Sequence, residues 1–356
     1  MTEHEKYMHQ CIIIAEKGLG NVAPNPMVGC VIVHEGKTIG EGYHQKCGEA
    51  HAEVNAIESI QNKELLKESS LYVNLEPCSH HGKTPPCVDL IIQYKIPNVI
   101  IGCKDSNPRV SGKGIQKLID AGCNVQVGIL EKESRELNRR FFTFHERKRP
   151  YILLKWAQTK DGFISSKFRI QSAKLEERLK NYTIDWISNE TSRKLVHKWR
   201  SEEQGIMVGT NTVLLDNPRL TVREWQGKNP TRIIIDKWLR IPSHYYVYDK
   251  TVPTIAFTSI KKGSENNLEF IMIDFERDVI KQVLDELYNR EIQSIMVEGG
   301  EQIINTFIRN NLWDEARVLI ANKEFGKGIN APDISGKNVI FKENIDGDEL
   351  LIYRNN

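Results

Sequence analysis

The chain has 356 residues, more than one hydrophobic core comfortably organises and an ordinary length for two domains. An apolar fraction of 40% with 27% charged residues describes a globular chain, and a formal net charge of +2 excludes a nucleic-acid binder driven by bulk electrostatics. Seven cysteines lie between Cys11 and Cys123 with none beyond, which is no disulfide framework for the whole molecule and points to a reducing cytoplasm. The acidic, polar start MTEHEKYMHQ does not read as a signal peptide, and no apolar run approaches the roughly 20 residues that span a bilayer, so no membrane partner is expected.

In chain order, a helical pattern from Glu5 to Lys17 leads through the turn-like GNVAPNP to a strand at MVGCVIV, and TIGEGY follows as a second strand. A helix is expected from Ala50 to about Ile60, strands at LYVNL, NVIIG and NVQVGI, and helices from near Pro85 and over Gly114 to Ala121. The charged helical segment from Glu131 to Arg149 carries the junction, with domains at 1–146 and 147–356. Beyond it YILLKWAQT, GIMVG, TRIIID, PTIAF, LEFIMID, SIMVEGG, ARVLIA and DELLIYR read as strands. Helices at Glu190–Ser201, Val279–Leu287 and up to about Asn310 separate some of them, the pattern of a largely parallel sheet covered on both faces. The stretch GTNTVLLDNPRLTVR shows little periodicity.

The first half carries HAEVNAIESI and then YVNLEPCSHHGKTPPCVDLI. His51, Cys78 and Cys87 supply one imidazole and two thiolates, a donor set for a catalytic zinc that keeps one position open for water. With a helix from Ala50, His51 sits in its first turn and Glu53 points roughly 200° around the axis, placing the carboxylate over the open position as a proton carrier in place of a ligand. Pro85 and Pro86 pre-set the start of the next helix, where Cys87 meets free amides that favour a thiolate. His80 and His81, in the glycine-containing loop after Cys78, offer either a fourth ligand or a substrate contact.

The order His-x-Glu, Pro-Cys, Cys is that of the zinc deaminases, in which an activated water attacks a carbon bearing an exocyclic amine. The longer spacing PCSHHGKTPPC, with NPMVG at Asn25, GYH at Gly42, GEAHAE at Gly48 and NPRV at Asn107, resembles the deaminase half of the bifunctional riboflavin-biosynthesis family. That family joins diaminohydroxyphosphoribosylaminopyrimidine deaminase to 5-amino-6-(5-phosphoribosylamino)uracil reductase. The resemblance implies a cytidine-deaminase-like α/β/α domain. It also implies that Glu53 is catalytic, that Asn25 and His44 grip the pyrimidinone edge, and that His80 contacts substrate.

The second half lacks GxGxxG, but in SIMVEGGEQIINTFI a strand ends at Glu298, a Gly-Gly pair turns tightly, and the next helix opens its amides toward an anion. Arg200, at the end of HKWR, adds a cationic fork. LLKWAQTKDG, WISNETSRKLVHKWR, VGTNTVLLDNPRLTVR and VEGG resemble the reductase half of the same family, whose fold is similar to dihydrofolate reductase. By matching motifs, NADPH would touch Ala157, Trp186, Thr212 and Asp216 together with Gly300, Glu301, Gln302, Ile303, Ile304, Asn305 and Thr306. Arg200, Leu220, Arg223 and Glu298 would line the substrate pocket.

The chain departs from the family at Ile184, where a serine is usual, leaving Thr183 or Asn181 to make that contact. Asp216 is expected toward the nicotinamide, Thr212 at the adenosine end, and the diphosphate on the amides from Gly300. The loop with Arg223 and the following WQGKNP offer groups for a 2′-phosphate. Lys155 and Asp216 both stand near the expected reduction site, and the proton donor is left open. The resulting expectation is a two-step enzyme acting on a phosphoribosylaminopyrimidine with zinc and NADPH, with no nucleic-acid partner, and a homo-oligomer, a dimer before a tetramer. The alternatives are a zinc deaminase of a nucleoside or RNA base with a non-catalytic C-terminal domain, and a zinc-stabilised scaffold, which would leave Glu53 without a task.

Overall fold

The computed structural model describes residues 1–79, 85–107, 110–166 and 186–355. The chain divides into two compact units, Met1–Arg149 and Pro150–Asn356. The last helix before the join ends at Arg147, Lys148 caps it in the left-handed conformation, and the next strand opens at Tyr151.

In the first unit a five-stranded sheet has the order β2-β1-β3-β4-β5. Its strands are β1 (Gly29–His34), β2 (Lys37–Tyr43), β3 (Ser70–Leu75), β4 (Asn98–Cys103) and β5 (Asn124–Val127). β1 runs antiparallel to both β2 and β3, while β3, β4 and β5 are parallel. Alternate residues serve opposite faces, as the period of two requires. Cys30, Ile32, Leu71, Val73, Val99 and Ile101 meet α2 (Ala52–Glu58), α3 (Cys87–Gln93) and α4 (Lys113–Asp120). Val31, Val33, Tyr72 and Ile100 meet α1 (Glu3–Glu16), with Leu137 of α5 (Glu131–Leu137) at the margin. The charged junction segment forms α5 and α6 (Arg139–Arg147), whose Phe141, Phe142 and Phe144 are buried.

The second unit is built on a nine-stranded sheet of order β11-β10-β9-β8-β12-β6-β13-β16-β15. β6 (Tyr151–Thr159), β8 (Gly205–Gly209), β9 (Thr231–Ile235), β10 (Thr254–Thr258), β11 (Leu268–Met272), β12 (Ser294–Glu298) and β13 (Glu315–Ala321) are mutually parallel. β16 (Asp348–Arg354) and β15 (Val339–Ile345) close the edge as an antiparallel hairpin. A short pair, β7 (Phe163–Ser165) and β14 (Ile329–Asn330), stands apart.

Ile152, Leu154, Met207, Ile233, Phe257 and Val297 face α9 (Val279–Asn289) and α10 (Glu301–Arg309). Their neighbours Leu153, Ile206, Val208, Ile234, Ala256 and Met296 face α7 (Glu190–Glu202) and α8 (Thr210–Asp216). The near-continuous apolar runs of these strands follow from burial on both sides. Two expectations are corrected. α8 occupies the first part of GTNTVLLDNPRLTVR, where Thr210, Val213 and Leu214 are buried at helical spacing; at two turns it is too short for that spacing to repeat and show as a period. β15 escaped notice because its side chains are almost all exposed, so no apolar alternation marks it.

Candidate active sites

The first site lies where β3 ends and two helices begin. β3 runs out at Leu75, and Glu76-Pro77 deliver Cys78; α3 starts at Cys87 behind Pro86; α2 starts at Ala52 behind His51. His51 is thus the N-cap, in extended conformation one residue outside the helix, and not a member of its first turn. The roughly 200° separation expected for two helical residues therefore does not describe it. The close seat of α2 on β2 depends on Gly42, where a Cβ would strike the backbone nitrogen of Ala56.

His51 Nδ1 lies 3.5 Å from Cys78 Sγ and 3.3 Å from Cys87 Sγ, and one ligand atom from each of the three residues falls within 4.8 Å of the others. Tetrahedral zinc with ordinary Zn–S and Zn–N bonds requires donor separations of roughly 3.5–3.8 Å, so the donor set fits that ion. The Cys87 amide donates to Cys78 Sγ at 3.3 Å, so the free amide at the start of α3 serves the other cysteine. Hydrogen bonding from Cys87, and less strongly from His51, pulls the Cys78 thiol down to about 4 against its burial. The hydrogen bond shared with Cys78, together with burial, raises the Cys87 thiol.

Glu53 is 3% exposed, and burial, reinforced by the Cys78 charge, pushes its carboxyl above the usual range. His44 is buried with its ring 5.3 Å from that of His51. Its Nδ1–H donates to the Ala50 carbonyl at 3.0 Å, which leaves Nε2 to accept from the Asn25 amide at 3.1 Å. Asn25, His44, His51 and Glu53 are therefore brought together, and burial depresses the His44 pKa, in keeping with a neutral ring. His80 lies outside the described residues. Sequence reasoning passed over Glu76: its buried carboxylate accepts from the amides of Asp105, Gly112, Gly114 and Ile115, tying the ligand-bearing strand end to the start of α4. Its position directly before Pro77-Cys78 was the available signal.

The second site is a cleft of about 1080 Å³ at the carboxyl ends of the parallel strands. β8 and β12 are neighbours, yet α8 follows β8 onto one face and α10 follows β12 onto the other. The crevice between two such departures is where open α/β sheets hold ligands. Gly299 and Gly300 make the turn with φ of +93° and +64°, and a Cβ on Gly299 would lie 2.7 Å from Thr212 Cγ2. Gly300, a glycine, stands at the N-cap of α10 and has no side chain of its own to cap the helix.

Every described residue matched by motif to the cofactor or the substrate lines this cleft except Asn305, whose amide turns to Glu301 Oε1 at 3.3 Å. Thr212 abuts the Gly-Gly turn, beside the amides expected to take a diphosphate. Asn181, Thr183 and Ile184 lie outside the described residues. WQGKNP does not reach the cleft, because it packs along the outside of α7: Trp225 lies 5.8 Å from Lys198 Nζ and Gly227 lies against Ser201. The cations that line the cleft instead are Lys237 and Arg240, beyond the end of β9, which lie too far along the chain from any motif to be flagged.

At the cleft floor Arg200 grips Glu298 with two hydrogen bonds of 2.8 Å, and Lys155 Nζ stands 3.9 Å from the same carboxylate. Burial opposes ionisation of Glu298, but the charges of Arg200 and Lys155 overcome it and hold the carboxyl at about 2. Burial also draws the Lys155 pKa down, only partly offset by Glu298.

Residues 1–103 match the cytidine and deoxycytidylate deaminase zinc-binding region, and residues 150–342 match the RibD C-terminal domain. The riboflavin biosynthesis protein RibD of Aquifex aeolicus (strain VF5) is 39% identical, with 98% of this chain and 97% of that protein covered. RibD of Escherichia coli (strain K12) is 34% identical over 91% of this chain and 89% of its own. The crystal structure of a diaminohydroxyphosphoribosylaminopyrimidine deaminase/5-amino-6-(5-phosphoribosylamino)uracil reductase from Thermotoga maritima superposes with a TM-score of 0.87 at 36% identity, covering 99% of both chains. The chain belongs to the RibD family of riboflavin biosynthesis proteins.

Proposed function

We propose that the chain carries out two consecutive steps of riboflavin biosynthesis. The first unit, Met1–Arg149, deaminates 2,5-diamino-6-(5-phosphoribosylamino)pyrimidin-4(3H)-one, and the second, Pro150–Asn356, reduces the product's ribosyl group to ribityl with NADPH. The observation that carries the reading is the pairing of a His51, Cys78, Cys87 donor cluster beside buried Glu53 with a separate cleft floored by the Arg200–Glu298 pair. A match to a RibD C-terminal domain argues against a non-catalytic C-terminal module.

Zinc held by His51, Cys78 and Cys87 supplies an activated water at neutral pH. Glu53, sequestered from solvent, moves a proton on its carboxylate to the nitrogen of the departing amine, so that ammonia leaves as oxygen takes its place at carbon. Asn25 presents its carbonyl oxygen and remaining amide N–H to the pyrimidinone edge, and His44, oriented by the Ala50 carbonyl, fixes that amide through Nε2. His80 contacts the substrate from the loop beyond Cys78.

Ala157, Trp186, Thr212, Asp216 and residues Gly300 to Thr306 would hold NADPH, with the helix start at Gly300 suited to its diphosphate. The cofactor would supply the hydride that reduces C1′ of the ring-opened sugar. Leu220, Arg200, Arg223 and Glu298 orient the substrate. Arg223, which lines the cleft while Arg200 is engaged by Glu298, meets the substrate phosphate in this reading. The enzyme acts on small molecules in the cytoplasm as a homodimer. The seven free cysteines suit a reducing compartment, and no helix among the described residues is long and apolar enough to cross a membrane.

The test is incubation of the full chain with the diaminopyrimidinone phosphoribosylamine. Ammonia should appear without NADPH, and NADPH should be oxidised only once deamination has occurred. Ammonia release with no NADPH oxidation would reduce the second unit to a recognition module.

A further inference from the structure

The segment between α8 and β9 is irregular in backbone and yet held by side chains from elsewhere. The Arg219 carbonyl accepts from Arg232 Nε at 2.9 Å, and the Thr221 carbonyl accepts from Arg200 Nη1 at 3.2 Å. The Val222 amide donates to Asn229 Oδ1 at 2.8 Å, and the Arg223 amide donates to His197 Nδ1 at 3.1 Å. Leu220, within this segment, is 2% exposed and adopts a left-handed φ of +54°, a conformation that persists only where surroundings over-determine it. A loop pinned in this way presents Leu220 and Arg223 to the cleft at little ordering cost when substrate arrives.

We propose that His197 is a positioning residue of the reduction step: its Nδ1 fixes the backbone of Arg223, so that the guanidinium projects into the cleft at the place of the substrate's phosphate. The proposal rests on the reading of Arg223 as the phosphate contact. His197 lies one turn before Arg200 on α7 and is 4% exposed. Because Nδ1 accepts, the ring proton resides on Nε2, which faces Glu224 Oε1 at 3.8 Å. Burial, with the Arg200 and Arg223 charges beside it, lowers its pKa to about 4. The imidazole is therefore neutral at physiological pH. It supplies an acceptor without adding a third cation, and it fills a buried position that a lysine or arginine could not occupy without repelling both guanidinium groups. His197 does not line the cleft, which separates this role from catalysis.

The experiment compares His197→Asn, whose carbonyl oxygen can take the place of Nδ1, with His197→Gln, whose longer side chain cannot, and His197→Leu. Arg223→Ala serves as reference, all in the full chain. Reduction is measured with the phosphorylated aminouracil and with its dephosphorylated counterpart, and melting temperature is recorded alongside. His197→Leu and His197→Gln should raise KM for the phosphorylated substrate by about tenfold, the loss expected for one misplaced charged hydrogen bond, with kcat within about threefold of the parent. Both should leave the dephosphorylated substrate unaffected, and His197→Asn should restore KM to within about threefold. Should His197→Leu fail to fold, the Asn and Gln pair carries the comparison.

Equal KM values for Asn and Gln variants, or equal losses with both substrates, would overturn the positioning role. If Arg223→Ala itself does not distinguish the two substrates, the assignment of the phosphate to Arg223 has failed and the proposal falls with it.

Discussion

The two units solve the problem of assembling a site in different ways. In the first, the donors to one small ion come from a short stretch of chain, residues 51 to 87, and the groups fall within 4.8 Å of one another. In the second, the groups around a cofactor-sized cleft come from Lys155 to Ile329, and the pair at its floor is separated by 98 residues. All seven cysteines belong to the first unit and all six tryptophans to the second. An ion needs few, close and chemically distinctive ligands, whereas a dinucleotide needs a long surface on which most contacts are ordinary. The consequence is that the first site depends on individual residues and the second on a scaffold, and each of the following measurements sharpens or breaks that contrast.

The largest effect is expected from the Arg200–Glu298 pair. Arg200→Ala removes both hydrogen bonds to the buried Glu298 carboxylate and leaves it only Lys155, 3.9 Å away, so it should destabilise the second unit by about 3–5 kcal/mol. Tryptophan fluorescence during denaturant unfolding isolates that unit, since the first has no tryptophan. The pair has a pH signature. Glu298 is held at about 2 against a usual 4.5, so its contribution is complete above about 4.5 and disappears as pH falls toward 2, roughly 3 kcal/mol in all. The stability gap between parent and Glu298→Gln should therefore narrow on acidification; a gap that is constant across that window would mean the carboxylate is not stabilised by its partners.

Glu53→Gln should reduce ammonia release at least 10²-fold, or about 2.7 kcal/mol, while the zinc content stays near one ion per chain and reduction of the deaminated intermediate is spared. Deamination within about threefold of the parent would remove Glu53 from the mechanism. If reduction were silenced too, the independence of the two sites would be lost.

Cofactor choice should show a smaller difference. With Lys237 and Arg240 on the cleft wall, kcat/KM with NADPH should exceed that with NADH by about tenfold, near 1.4 kcal/mol. A ratio near one would leave those cations without a role in selection. The smallest effect belongs to Asn25→Ala, which removes one neutral hydrogen bond to His44 and should raise KM for deamination by a factor equivalent to about 0.5–1.5 kcal/mol. An unchanged KM would move Asn25 out of the substrate contact.

Much was legible from local order alone. Short apolar runs and their bounding turns located β6 at Tyr151–Thr159, β8 at Gly205–Gly209 and β16 at Asp348–Arg354. The histidine, glutamate and cysteines of the first site were legible because zinc chemistry restricts residue type as well as spacing. Helix periodicity failed at α8, which is two turns long, and strand alternation failed at the exposed β15. Tertiary structure alone decided that His51 stands outside its helix, that the amide of Cys87 serves Cys78, and that Glu76 clasps the start of α4. It alone brought Lys237 and Arg240 to the cleft and set His197 under Arg223. Periodicity and motif spacing record what a residue does with its chain neighbours. The direction in which a buried side chain spends its hydrogen bonds depends on which distant strand the fold lays beside it, and that information is carried by the packing of the whole sheet.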